Sequence, residues 1–289
     1  MRQDDADEAL ARTRRMLATL RGRDPRSRDV HTLSELETEL AQLLVASGRG
    51  SSHEVRSALA RSAVLGHASV EVMLAYDEGK GTRTVLVEEP DGSVRSFPVA
   101  GLAFGFDAWI RTWFAALVAE DDTVLTALAR PEVLWASSPP SELSTHDGWA
   151  SHCKLLSELA LKPEPSEWLQ AWADHEAGDV DDGAGSQHSA VRLHLGPTDA
   201  MARAIAARDG ATLVEVLRTA LEEHRKYWLA EELDHHPRAV WPPEVVGLAR
   251  IAAVRGLVPE AELLSVPGFP SAVLARDPLP RPSLRVIDP

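Results

Sequence analysis

Apolar positions recur at three- and four-residue spacing along most of the chain, a period that predicts helices. Over 4–21, Leu10, Met16, Leu17 and Leu20 stand among Arg and Ala, giving an amphipathic helix that ends near Gly22 and Pro25. Leu33, Leu36, Leu40, Leu43 and Leu44 predict a second helix over 33–46, with Ser34 and Glu37 at capping-box spacing. A third begins after Ser51 and Ser52, places Val55, Leu59, Ala63 and Val70 on one side, and stops at Gly79 and Gly81. Over 104–119, Phe106, Trp109, Ile110, Trp113, Phe114 and Leu117 make an aromatic stripe, which is predicted to be the centre of the core. Further helices are predicted over 146–161 and 166–177, anchored by Trp149, Trp168 and Trp172, and over 198–208, 211–234 and 243–256.

The period changes to two in TVLVEE (84–89) and SVRSFPV (93–99), which flank Pro90, Asp91 and Gly92 and predict a hairpin. Pro131, Pro139 and Pro140 interrupt regular structure, and the glycine-rich, acidic 178–189 reads as a mobile surface loop. Seven prolines from Pro259 to Pro289 argue that the tail carries no regular element. The fold class is therefore mainly α, a multi-helix bundle or a stack of antiparallel helix pairs with one small β-hairpin at about 84–99. Residues 1–30 read as an N-terminal helical extension and 31–289 as a single α-helical domain with a Pro-rich C-terminal tail.

Composition adds a sign to this picture. The net charge is −14, and because residues 1–30 hold eight Arg against six acids, the rest carries −16. Such a surface repels phosphate backbones and anionic lipid and speeds encounter with a basic protein. Cys153 is the one cysteine, which excludes an intrachain disulfide and fits a reducing cytoplasm. The start MRQDDADEALAR is acidic where a signal peptide is basic and then apolar, and the longest apolar run, WFAALVA at 113–119, is too short to span a bilayer. Arg heavily outnumbers Lys, a bias common in GC-rich bacterial genomes.

Candidate chemistry is sparse. His224, Glu231, Glu232 and His235 share one helix, and Glu232 with His235 has the spacing used by di-iron bundles, which would make a metal-dependent enzyme. No second Glu-x-x-His accompanies them, and a core or capping histidine with a solvated helix end is the simpler reading of the same residues. Asp174, Glu176, Asp179, Asp181 and Asp182 fail the calcium-loop pattern and are left as contacts for a basic partner. His146 lies two helical turns from Cys153, too far to activate it. No phosphate loop, G-x-S-x-G elbow or H-E-x-x-H helix occurs, so neither an enzyme nor a cofactor is expected.

The C-terminal third then carries a family likeness. DGATLVEVLRTALEEHRKYW, PPEVVGLARIAAVRGL and LLSVPGFPSAVL follow one another, and FDAWIRTWFAALVAEDDTVLTAL precedes them after the hairpin. This order resembles the immunity protein 49 family of bacterial polymorphic toxin systems over roughly residues 55–275. Trp109, Asp209, His224, Arg225, Pro243, Gly256, Ser265 and Pro270 fill the family's motif positions. The resemblance implies an all-α protein that neutralises a toxin by covering it, and it brings no catalytic residues. A helical scaffold serving regulation or assembly is the other binding-protein reading of the same sequence.

Overall fold

Helix α1 (Gln3–Arg21) buries Ala6, Ala9, Leu10 and Leu17 against α2 (Ser27–Ala46), so the first amphipathic stripe finds its partner in the next helix. The computed structural model describes residues 3–79, 83–89, 91–99, 101, 104–136, 146–164, 166–169, 196–230, 236–280 and 282–287. Helix α2 starts earlier than its leucine pattern predicts. Asp29 reaches back to the Arg26 backbone N–H at 2.9 Å and holds Arg23 at 2.6 Å, which closes the first turn there. Ser34 and Glu37 are thus interior residues and not a capping box. Ser34 Oγ donates to the Ser62 carbonyl at 2.9 Å, and the fully buried Glu37 accepts from Arg61 Nε at 3.1 Å and from Arg21.

Helix α3 (Ser52–Asp77) opens on a Ser–Glu capping box. Glu54 N–H donates to Ser51 Oγ at 3.2 Å while Ser51 N–H donates to Glu54 Oε2 at 2.9 Å. Among the described residues it is the one helix long and apolar enough to cross a membrane, a feature that no uninterrupted apolar run betrays. That stretch is 83% buried, because α2, α4 (Phe106–Ala119) and α5 (Asp122–Leu128) surround it.

The aromatic stripe does lie at the centre. Trp109 and Trp113 are fully buried and stacked at 6.4 Å, and each indole N–H is satisfied, by the Leu128 carbonyl at 3.1 Å and the Leu156 carbonyl at 3.2 Å. Two glycines let neighbours close on α4. A Cβ on Gly66 of α3 would fall 2.8 Å from Thr112 Cβ, and one on Gly247 would fall 2.5 Å from the Trp113 ring.

Pro131 does not interrupt structure but opens α6 (Pro131–Ala136), since a first-turn position needs no N–H. Helices α7 (His146–Leu161), α8 (Gly196–Ala206), α9 (Gly210–Ala230), α10 (Pro243–Val254) and α11 (Glu260–Leu264) complete the helical body. Pro139, Pro140, the loop 178–189 and most of the helix expected over 166–177, including Trp172, lie outside the described residues.

The tail contradicts its proline content. Strand β3 (Ser283–Ile287) pairs antiparallel with β1 (Thr84–Glu88), whose other edge pairs with β2 (Val94–Pro98), so the hairpin becomes a three-stranded sheet ordered β2-β1-β3. Its inner face presents Val85, Val87 and Phe97 to the core. Two buried arginines lead the chain there. Arg56 donates to the Asp277 carbonyl at 2.6 Å, and Arg250 donates to the Leu117 carbonyl at 3.1 Å and to the Val273 carbonyl. Backbone groups of a proline-rich segment, short of N–H donors of their own, are satisfied by side chains instead.

Candidate functional site

The end of α9 and the start of α10 come together because Pro237–Ala239 forms a single 3-10 turn between them. His236 caps that turn by accepting from the Arg238 N–H at 3.2 Å, and Pro243 then supplies the fixed φ of α10's first residue. This places His224, Trp228, Arg238 and Trp241 against α2 and α4, around a cleft of about 110 Å³.

Charge converges on its mouth. Arg238 lies between Glu35 of α2 at 3.3 Å and Asp107 of α4 at 3.4 Å, and Arg111 reaches Glu35 at 3.6 Å. Burial raises the Glu39 carboxyl above its ordinary range and Glu35 beside it adds to this, while Arg238 opposes it. Burial likewise pulls Arg111 down, and burial and the Arg111 charge lower the nearby His31 below its ordinary value although Glu35 opposes them.

The interior is aromatic. His224 is buried, and its Nε2 lies 3.0 Å from the Arg238 carbonyl; a carbonyl only accepts, so Nε2 carries the proton. Trp228 meets His224 edge-on at 6.0 Å, stacks on His236 at 5.4 Å and touches Tyr227 at 5.7 Å. Trp241 is fully buried against Phe114, and its indole N–H has no hydrogen-bond partner among the described residues. Glu244, almost wholly buried, closes the far side.

Of the motif positions, Trp109 is core, and five others shape the backbone. Asp209 caps α9 by accepting from the Thr212 N–H at 3.0 Å and the Thr212 hydroxyl at 2.6 Å, bonds that hold its carboxyl below the usual range. Pro243 opens α10, and Gly256 at φ +68° lies just beyond it. Ser265 closes α11, and Pro270 precedes the 3-10 turn Ser271–Leu274. His224 and Pro243 line the cleft; Arg225 is exposed, beside a second hollow of about 210 Å³ near Gly268.

Glu231, Glu232 and His235 lie outside the described residues, as do Asp174, Glu176, Asp179, Asp181 and Asp182. Among the described residues no three His, Cys, Asp or Glu side chains are grouped to hold a metal. Cys153 is buried, and burial raises its thiol well above the ordinary value, with Glu244 adding to the shift. Sequence reading overlooks Glu35, Asp107, Arg238 and Trp241 as site residues. The one available signal is the run HHPRAVWPP at 235–243, where Arg, His and Trp crowd between prolines.

Fold and cleft together define a mainly helical, acidic protein whose described residues assemble charged and aromatic side chains but no recognisable catalytic group. The chain belongs to the immunity protein 49 family, whose sequence profile matches residues 13–267. Membership gives it an immunity-protein role, with a toxin as the implied partner. No curated protein and no solved structure matches the chain.

Proposed function

We propose that the chain neutralises a cognate toxin of a bacterial polymorphic toxin system by binding it directly in the cytoplasm, without catalysis or cofactor. The family match over residues 13–267 carries this reading. Inhibition by coverage needs about 1,200–2,000 Å² of buried surface and complementary charge. A chain of net charge −14 offers that complementarity to a basic toxin and disfavours nucleic acid and anionic membranes as partners. Asp174, Glu176, Asp179, Asp181 and Asp182 are proposed as contacts for it.

Co-expression with the toxin encoded beside this chain's gene tests the proposal. Growth is expected to be restored, and the two proteins are expected to leave gel filtration as one complex. Death of cells that contain abundant immunity protein, with no complex formed, overturns it.

A further inference from the structure

We infer that the toxin docks on the open edge of β3, adding an extended segment of its own to the sheet as a further strand. This rests on the immunity reading and names the contact through which the toxin is held.

The hydrogen-bond pattern decides which groups the edge offers. Glu89 N–H donates to the Ser93 carbonyl at 2.8 Å and Val99 N–H to the Arg83 carbonyl at 3.4 Å, so Val85 and Val87 between them also turn their backbone groups to β2. Successive residues of a strand point these groups to opposite sides, which leaves Thr84, Leu86 and Glu88 to bond their β3 partners Ile287, Arg285 and Ser283. Leu284 and Val286 therefore turn N–H and C=O outward, and no described residue bonds them there. The same alternation places Pro98, which has no N–H, at an outward position of β2 and breaks that edge's row of donors. Within β3 no proline does so.

The side chains agree with the backbone. Val286 stands opposite the fully buried Val85, on the face that turns to the core, yet it is 38% exposed, and Ile287 is 45% exposed. The apolar face thus runs out to the edge uncovered. An added strand with apolar residues beside Leu284 and Val286 meets the open backbone groups and covers that margin in one step, as extended peptides do on sheet edges.

A second copy of this chain fits the edge badly. Antiparallel self-pairing centred on Arg285 sets that residue directly against its own copy, like charge on like charge. Centring on Leu284 sets Val286 against Pro282 of the second copy, which has no N–H to give, and centring on Val286 leaves one bonded pair within the strand. The net charge of −14 also sets two copies against each other, whereas it attracts a basic toxin, the kind of partner proposed above. The segment that fits is extended, apolar at alternate positions, and free of Lys and Arg opposite Arg285.

The test uses purified full-length chain and the toxin encoded beside its gene, disabled by an active-site substitution. Amide exchange read residue by residue is expected to be fast at Leu284 and Val286 in the free chain and at least about 10-fold slower in the complex. The Arg285 amide, bonded to β1, should be protected in both. In calorimetric titration Val286→Pro is expected to bind at least about 10-fold more weakly, because it removes an outward N–H and leaves the ladder between β1 and β3 intact. Its melting temperature should stay near wild type; if it falls, exchange in the wild-type chain decides alone. Tight wild-type binding without protection of Leu284 and Val286 overturns the edge inference and leaves the immunity reading standing. So does protection that appears in the chain alone as its concentration rises, with a dimer in light scattering, since a second copy then holds the edge. No binding by the wild-type chain overturns the immunity reading and this inference with it.

Discussion

Trp113 on α4 and Trp241, which packs against Phe114 of α4, are both fully buried, but the chain treats them differently. Around Trp113 every requirement is met: the N–H reaches the Leu156 carbonyl, Trp109 stacks on the ring, and Gly247 is reduced to a hydrogen so that α10 can approach. Around Trp241 the N–H is unmet and ion pairs are long. The first region spends its sequence on packing. The second leaves polar capacity unused.

Substitutions can sharpen that contrast. Gly247→Val or Trp113→Ala should remove about 3–5 kcal/mol of stability in denaturant unfolding, by overlap with the ring or by the void it leaves. A loss below about 1 kcal/mol would mean that α4 is not the centre of the fold. Arg250→Met should cost about 2–3 kcal/mol, because the Leu117 and Val273 carbonyls lose their donor. Hydrogen exchange at β3 should rise at the same time, since the strap from Val273 to β3 is loosened. Unchanged β3 protection would show that the sheet alone holds the tail.

Glu37 tests a buried charge inside the core. Burial raises its carboxyl above the ordinary 4.5 although Arg61 and Arg21 oppose the shift. The folded state therefore keeps a proton that the unfolded state releases, so this group's contribution is full below about pH 4.5 and falls as pH rises through the raised folded value. Relative to Glu37→Gln, the wild-type chain should lose stability on going from pH 4 upward. A parallel pair of stability curves contradicts the assignment. The smallest effect belongs to the cleft, where Glu35→Gln/Asp107→Asn should change stability by no more than about 1 kcal/mol, because the two Arg238 pairs are solvent-screened and the Glu35–Arg111 pair is long at 3.6 Å. A larger loss would make the cleft charges structural.

Much of the helical architecture is legible in the sequence because it depends on local periodicity. Leu33 to Leu44 and Phe106 to Leu117 each reveal a buried face without reference to the rest of the chain. Non-local features escape. The start of α2 is fixed by Asp29 acting on Arg23 and Arg26, not by a Ser or Thr cap, and Glu37 looks like a solvent residue until Arg21 and Arg61 arrive from two other helices. Strand β3 has five residues beside prolines and exists because β1, some 200 residues away, offers an edge. The cleft is harder still. It gathers Glu35, Asp107, His224, Arg238 and Trp241 from three helices, a 3-10 turn and the stretch that follows it, and only His224 stands out in sequence. Likewise Asp209, Pro243, Gly256 and Pro270, which carry the family likeness, prove to be helix and turn punctuation.

Neutralisation by binding requires direct, stoichiometric inhibition. Purified chain titrated into a fixed amount of the active toxin should abolish its activity at one equivalent, with the end point unmoved by added metal or chelator. Toxin activity that persists at a large excess of folded chain would contradict neutralisation by binding, even if the same chain protected living cells.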